Sequence, residues 1–353
     1  MITLGVDAHK HVHVAVALDE AGHELGRWRG PNSQRGWEEL ARWAAELGGP
    51  RQWGIEGAWN YGRGLAQHLV GTGEVVYEVN PRWTALGRRS ARKAGKSDPL
   101  DARAVAVLVW REGATLPRVA PEDETAVLDL LVTEREGALA EATRLRNQIH
   151  HLLLQLDPEY RSRLPNLQTQ AGLAAVAGYT TPSAGVLAQE RAAAVRRLAQ
   201  RLRLALEQAE ELAEQSRTRA AQSFSPLTRL RGVNLLTAAA LAGILGPGRR
   251  FATDAQLAAY AGVAPLEASS AGVVRHRLNR GGNRRLNAIL YRVALTQARY
   301  SPEARAYLDR RVAAGKTRRE ALRALKRFLI RAIWRLWQEC LNAQLSSPTR
   351  AVA

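Results

Sequence analysis

The chain has 353 residues, enough for two or three modules that each bury a core, which excludes a peptide-like or disordered chain. Its 51 lysines and arginines exceed the 33 aspartates and glutamates by 18, mostly as arginine, whose planar fork suits phosphate oxygens; nucleic acid is the leading partner, ahead of a solubilising surface or an anionic membrane. Apolar runs such as residues 237–245 are too short to span a bilayer, no amino-terminal stretch looks like a secretory signal, and the single cysteine, Cys340, excludes a disulfide framework or cysteine-rich zinc site, in keeping with a reducing cytoplasm.

In residues 2–18 apolar side chains recur at every second position, Ile2, Leu4 and Val6 and then Val12, Val14 and Val16, which is the period of strands. Gly22 signals a turn into a third strand over residues 24–29. Trp37, Leu40, Ala41, Ala44 and Leu47 follow a helical period that Gly48 and Gly49 stop. Residues 52–55 and 75–79 read as short strands, with a helix through Leu65, Ala66 and Leu69 between them. Strands first, then alternating helix and strand, make residues 1–120 a mixed α/β domain.

Beyond Pro117 and Pro121 the pattern turns helical, so the fold class is α/β followed by all-α. Within residues 121–220, Leu128, Leu131, Leu139, Leu145, Ile149 and Leu152 mark one long helix, and Val195, Leu198, Leu202, Leu206 and Leu212 mark another. Pro158, Pro165, Gly172, Gly178 and Pro182 make the stretch between them a connector or a site of inserted small elements. Such helices form an antiparallel hairpin or coil with another subunit, and spacing leaves both open. Residues 221–353 carry Gly-rich turns, many arginines and a final amphipathic helix through Leu322, Leu325, Phe328, Leu329 and Ile333.

Four acids fall where strands end or helices begin. Asp7 points away from the face carrying Leu4 and Val6, and Glu56 follows the strand of residues 53–55, just before Gly57. Asp98 and Asp101 are three apart, hence on one helix face, with Ser97 or Asp98 as cap and Pro99 in the first turn. Alone, this second pair does no more than cap and charge a helix start. Four carboxylates brought together repel unless a cation neutralises them, and oxygen ligands favour Mg²⁺ or Mn²⁺, the ions of phosphoryl transfer. His9, His11 and His13 share the strand parity of Asp7, but a turn after Asp7 breaks their alignment, so they are left out of the site.

The motifs Gly5-Val6-Asp7-Ala8-His9-Lys10, Gly54-Ile55-Glu56-Gly57 and Lys96-Ser97-Asp98-Pro99-Leu100-Asp101-Ala102 resemble the amino-terminal DEDD domain of a bacterial insertion-sequence transposase family whose members use a structured bridge RNA. The resemblance implies a RuvC-like, ribonuclease-H-type fold over the first third, with Asp7, Glu56, Asp98 and Asp101 as its metal-binding acids.

Downstream, Leu230-Arg231-Gly232-Val233-Asn234-Leu235 reads as a helix, a tight turn and a second helix, either a plain corner or a phosphate site at Gly232 and Asn234. It resembles the helix-hairpin-helix element that this family carries here. Ser269 and Ser270 stand among Gly262, Pro265, Gly272 and the basic run Arg275, His276, Arg277, Arg280, Arg284 and Arg285. By itself Ser-Ser in a loop is turn chemistry. A serine set among cations can also attack phosphorus once its proton is removed. Residues 262–286 resemble the family's carboxy-terminal transposase domain, which implies Ser270 as the nucleophile that joins DNA. Ala271 stands where the family has glycine, so Ser269 stays as the alternative.

Arg82, Arg88, Arg89, Arg92, Lys93 and Lys96 lead up to Asp98, and a second cluster runs from Arg310 to Arg327; both suit phosphates. Trp59, Tyr61 and Trp83 either stack on unpaired bases or serve as core and domain contacts. The chain therefore reads as a cytoplasmic, nucleoid-associated DNA transposase or recombinase, with a junction-resolving nuclease and a non-catalytic scaffold as alternatives. The resemblance further implies donor and target DNA as substrates, a bridge RNA as guide, and a homodimer or tetramer in which acids and serine come from different subunits.

Overall fold

The computed structural model describes residues 1–81, 98–267, 276–279 and 281–346. They fall into two compact units, one of residues 1–126, 226–233 and 244–353, the other of residues 127–225 and 234–243. The amino-terminal sheet and the carboxy-terminal helices, separate modules by sequence, thus share a unit.

Strand alternation in the first 31 residues produces an antiparallel meander of β1 (Ile2–Ala8), β2 (Val12–Leu18) and β3 (Glu24–Pro31). β4 (Arg51–Glu56) and β5 (Val75–Val79) extend the other side of β1 in parallel, giving the order β3-β2-β1-β4-β5. This mixed five-stranded sheet is consistent with the RuvC-like expectation. Between these strands run α1 (Gln34–Glu46), capped by Ser33, and α2 (Arg63–Gly71). Leu4 and Val6 on one face of β1 share a core with Leu40, Ala44, Leu65 and Leu69 from these helices. Glu56 is the last residue of β4 rather than the residue after it.

The opposite face receives α3 (Asp98–Glu112), and its seat is made by glycine. Gly5 and Gly54 are register partners on adjacent parallel strands, so both lack a side chain at the same level of the same face. A Cβ on Gly5 would sit 2.1 Å from the Ala106 amide nitrogen and 2.3 Å from the Ala102 carbonyl oxygen, and one on Gly54 would meet Val109 Cγ2 at 2.3 Å. The helix therefore lies almost on the strand backbones. Ala102 and Ala106 pack with Val14, Val16 and Leu18, while Val105 and Val109 pack with Val79.

In the carboxy-terminal part of this unit, the turn at Gly232 (φ 95°) follows a 3-10 segment, Ser225–Arg229, so the expected first helix of a helix-hairpin-helix is shorter than a helix proper. A two-stranded hairpin, β6 (Leu266–Glu267) with β7 (His276–Arg277), precedes three helices, Arg284–Tyr300, Pro302–Ala313 and Arg318–Ser346. The last of these buries Leu322, Leu325, Leu329, Ile333 and Trp337. Phe328, expected in that stripe, is 52% exposed because it stands one residue, about 100° of helix, from Leu329. Cys340 is buried, and burial pushes its thiol up to about 11, so it is an inert apolar filler.

A buried ion pair ties this part to the sheet. Arg250 Nε donates to Glu78 of β5 at 3.2 Å and Arg250 Nη1 to the Ile244 carbonyl at 3.0 Å. Burial works against the charge on Arg250, yet the Glu78 carboxylate and Tyr260 outweigh it and hold the pKa above its ordinary value. The guanidinium lies 5.5 Å from the Trp59 ring and 4.8 Å from that of Tyr260, and the Trp59 indole N–H also donates to Glu78 at 3.1 Å. Of the two readings offered for Trp59, the structure supports the domain contact: Arg250 lies over its ring.

The second unit is built on two long helices, Glu124–Leu156 and Val186–Ser223. They pair with each other within the chain, sharing a core of Ala142, Leu145, Ile149, Leu153, Val195, Ala199, Leu202 and Ala205. Ala192, Val195, Ala199, Leu202, Ala205, Ala209 and Leu212 are spaced three and four apart, the seam of a coiled coil. The seam uses alanines beside Val195, Leu202 and Leu212, and Leu198 and Leu206, expected in it from spacing, flank it half-buried. The connector holds two small helices, Tyr160–Arg163 and Gln170–Ala177; Tyr160, Leu167 and Val176 cap the coiled-coil core.

Candidate active site

Asp7 and Glu56 are register partners at the carboxy-terminal ends of β1 and β4, so their side chains leave the same face of the sheet from strands about 4.8 Å apart. That face is the one seating α3. Ala102 and Ala106 contact Gly5, two residues before Asp7, so the helix begins beside the strand ends and delivers Asp98 and Asp101 from its first turn. Asp7 and Asp101 are buried and Asp98 is half-exposed.

The turn between β1 and β2 adds a histidine. The Asn32 side chain donates to the carbonyls of Lys10 at 3.3 Å and Tyr61 at 3.2 Å, and His9 N–H donates to Val12 at 3.1 Å, which closes the turn tightly. His9 Nε2 consequently lies 3.0 Å from Asp7 Oδ2 and 3.6 Å from Asp98 Oδ1. Asp7, His9 and Asp98 each offer a ligand atom within 4.8 Å of the others. The turn breaks the histidine row as expected, and it also folds His9 back onto the acids, which sequence reasoning missed. Its one local signal was Asp-x-His immediately before a turn. His11 is exposed, and His13 is buried on the opposite face of the sheet, where it pairs with Ala8 and burial lowers its pKa.

Electrostatics set what this cluster could hold. Burial raises the Asp7 pKa, His9 draws it back down, and Asp101 and Asp98 raise it further. Negative charge gathered in a partly buried place is relieved by a divalent cation, and the donor set is carboxylate oxygen with one imidazole nitrogen. These residues fit Mg²⁺ or Mn²⁺, with the imidazole favouring Mn²⁺, and they do not resemble a thiolate zinc site.

The remaining sequence candidates divide. Arg82, Trp83, Arg88, Arg89, Arg92, Lys93, Lys96 and Ser97 lie outside the described residues, as do Ser269, Ser270, Arg275 and Arg280. In the sequence, β6 and β7 stand on either side of residues 268–275. Arg277 and Arg284 are exposed, and Arg285 is half-buried. Asn234 uses its side chain to cap the following helix, accepting from Thr237 N–H at 2.8 Å. Gly232 packs against Thr296, and Arg231 Nη1 donates to the Tyr300 carbonyl at 2.9 Å, a helical corner held from within.

Residues 4–158 match a DEDD-type transposase family, and residues 225–309 match the family described as transposase, IS116/IS110/IS902. The first match contains all four acids and the second contains the hairpin. The chain is 32% identical over 287 residues to the uncharacterized 43.6 kDa protein of insertion element IS110 from Streptomyces coelicolor, covering 69% of this chain and 71% of that one. It is 28% identical over 185 residues to the uncharacterized 44.8 kDa protein of insertion element IS116 from Streptomyces clavuligerus, covering 52% and 46%. With the uncharacterized 42 kDa protein of insertion element IS900 from Mycobacterium paratuberculosis it shares 23% identity over 380 residues, 95% of both chains.

Proposed function

Since the chain belongs to the IS116/IS110/IS902 family of insertion-element transposases, we propose that it cleaves and rejoins DNA strands using Asp7, Glu56, Asp98 and Asp101 together with Ser270. The observation that supports this best is the meeting of Asp7 and Asp98 at one end of the sheet, with Asp101 close enough to perturb Asp7 and Glu56 in register beside it. Mg²⁺ or Mn²⁺, held by these acids, would supply positive charge for the phosphate oxygens of the strand being cut.

Ser270 is the nucleophile in this reading. Its hydroxyl gives up a proton to a base, Oγ forms a bond to phosphorus, and the scissile P–O bond breaks, its departing oxygen taking up a proton. Attack by the incoming strand's hydroxyl on the phosphoserine reverses these steps and frees the serine. Arg277, Arg284 and Arg285, with Arg88, Arg89, Arg92, Lys93 and Lys96, hold backbone phosphates. Choice of donor and target lies in a structured bridge RNA, and serine and acids meet across a homodimer or tetramer.

Denaturing gels of the full chain with DNA carrying the element's ends test the chemistry. A covalent protein–DNA adduct is expected, lost in Ser270→Ala, while Asp7→Ala and Asp101→Ala abolish strand cleavage with the fold intact. Cleavage without an adduct, or an adduct that survives Ser270→Ala, overturns the serine step and leaves a nuclease in which water attacks. Sequencing RNA that copurifies tests guidance, and recovery of no discrete species defeats it.

A further inference from the structure

Away from the acids, a cleft of about 1070 Å³ opens among the helices Arg284–Tyr300, Pro302–Ala313 and Arg318–Ser346, with the turn from Gly262 to Pro265 at its rim. Among the described residues that line it, Arg277, Arg284, Arg311, Lys316, Arg323 and Arg327 stand against one carboxylate, Glu320. Such a balance calls for a polyanion. The lining also contains Tyr291, Tyr307 and Phe328. Tyr307 meets Phe328 edge-on at 5.2 Å, and Tyr291 and Phe328 are about half exposed, at 48% and 52%.

Internal bonds stiffen this frame. Lys326 Nζ donates to Asn287 Oδ1 at 2.8 Å, Asn287 in turn donates to the Ala261 carbonyl at 2.8 Å, and Arg327 pairs with Asp254 at 2.8 Å. Arg277, Arg284, Arg311, Lys316 and Arg323 are exposed to whatever enters.

Cations alone would suit a duplex, whose phosphates lie outermost. Aromatic rings sunk in a concave wall gain nothing from a duplex, because paired bases present edges rather than faces. A lone phosphate ion needs no aromatic wall. Unpaired nucleotides satisfy both features, with phosphates on the arginines and base faces on the rings. We propose that this cleft holds an unpaired stretch of the DNA substrate, with Phe328 and Tyr291 as stacking platforms. The proposal rests on the reading that this chain processes DNA, and it names the form of DNA that the carboxy-terminal region grips.

Fluorescence anisotropy of the full chain with a labelled twelve-nucleotide oligo(dT), a duplex of the same length and oligo(rU) tests it. Phe328→Ala and Tyr291→Ala are each expected to weaken oligo(dT) about tenfold, leave the duplex within about twofold and unfold at the same temperature as the parent. Phe328→Trp restores binding, a rescue that mere packing would not produce. Unchanged oligo(dT) affinity in Phe328→Ala, or equal losses for single strand and duplex, overturns the cleft assignment. Tighter oligo(rU) binding that alone responds to Phe328→Ala assigns the cleft to RNA and also overturns it. Failure of the parent chain to bind any of the DNAs counts against the DNA reading itself.

Discussion

Gly5→Ala probes the seat on which the acidic site depends. The added methyl would lie 2.1 Å from a backbone nitrogen and 2.3 Å from a backbone oxygen of α3, where ordinary contact begins at 3.4 Å, so the helix must retreat by about 1.3 Å or the strand must bend. Neither neighbour is a side chain that can swing aside. Overpacking of this kind costs about 1–3 kcal/mol, and backbone on both sides places this substitution at the upper end. The same retreat carries Asp98 and Asp101 away from Asp7 and His9, and a displacement of about 1 Å is enough to cost about 100-fold in rate. Urea denaturation should show a loss near 3 kcal/mol, and titration with Mn²⁺ followed by electron paramagnetic resonance should show weakened binding. Gly71→Ala, where a methyl meets nothing within 4 Å, is the control and should be neutral or stabilise by up to about 1 kcal/mol. A Gly5→Ala protein with parental stability and parental Mn²⁺ affinity would refute the claim that glycine sets the helix-to-strand distance.

Two further substitutions address charge. Asp7→Asn removes a carboxylate that burial and two neighbouring acids disfavour, so in chelator at neutral pH it should stabilise the fold by about 0.5–2 kcal/mol while losing the stabilisation that Mn²⁺ gives the parent. Because the folded pKa of Asp7 lies above 3.8, the folded chain holds the extra proton between the two values, so this cost is absent below 3.8 and complete above the folded pKa; a variant less stable than the parent at neutral pH sinks the argument. Glu78→Ala leaves Arg250 buried without its carboxylate and deprives the Trp59 indole of its acceptor, and should cost about 3–5 kcal/mol in urea denaturation. A loss under about 1 kcal/mol would show that Arg250 is satisfied by Ile244 and the rings alone.

Much of the fold was legible locally. Alternation in β1 and β2, the glycine stop after α1 and the charged start of α3 are short-range patterns, and each element formed where its pattern lay. Long-range choices were less visible. Spacing marks leucine for the coiled-coil seam, and Leu202 and Leu212 do lie in it, but Ala199, Ala205 and Ala209 fill the positions between them. Phe328 reads as core because a half-exposed ring and a buried one look alike in a helical repeat. Strand parity is the only geometry the sequence offers for His9, and a turn has no parity.

By itself, then, the sequence determined the kinds of elements, the basic character of the surface and the placement of four acids at element ends, all of which depend on neighbours a few residues apart. Only the tertiary structure decided that Gly5 and Gly54 lie side by side, that α3 crosses them with its first turn over Asp7, and that His9 joins the acids. Those outcomes depend on where the chain returns after about ninety residues. Periodicity records the face a side chain occupies, and packing alone settles what that face meets.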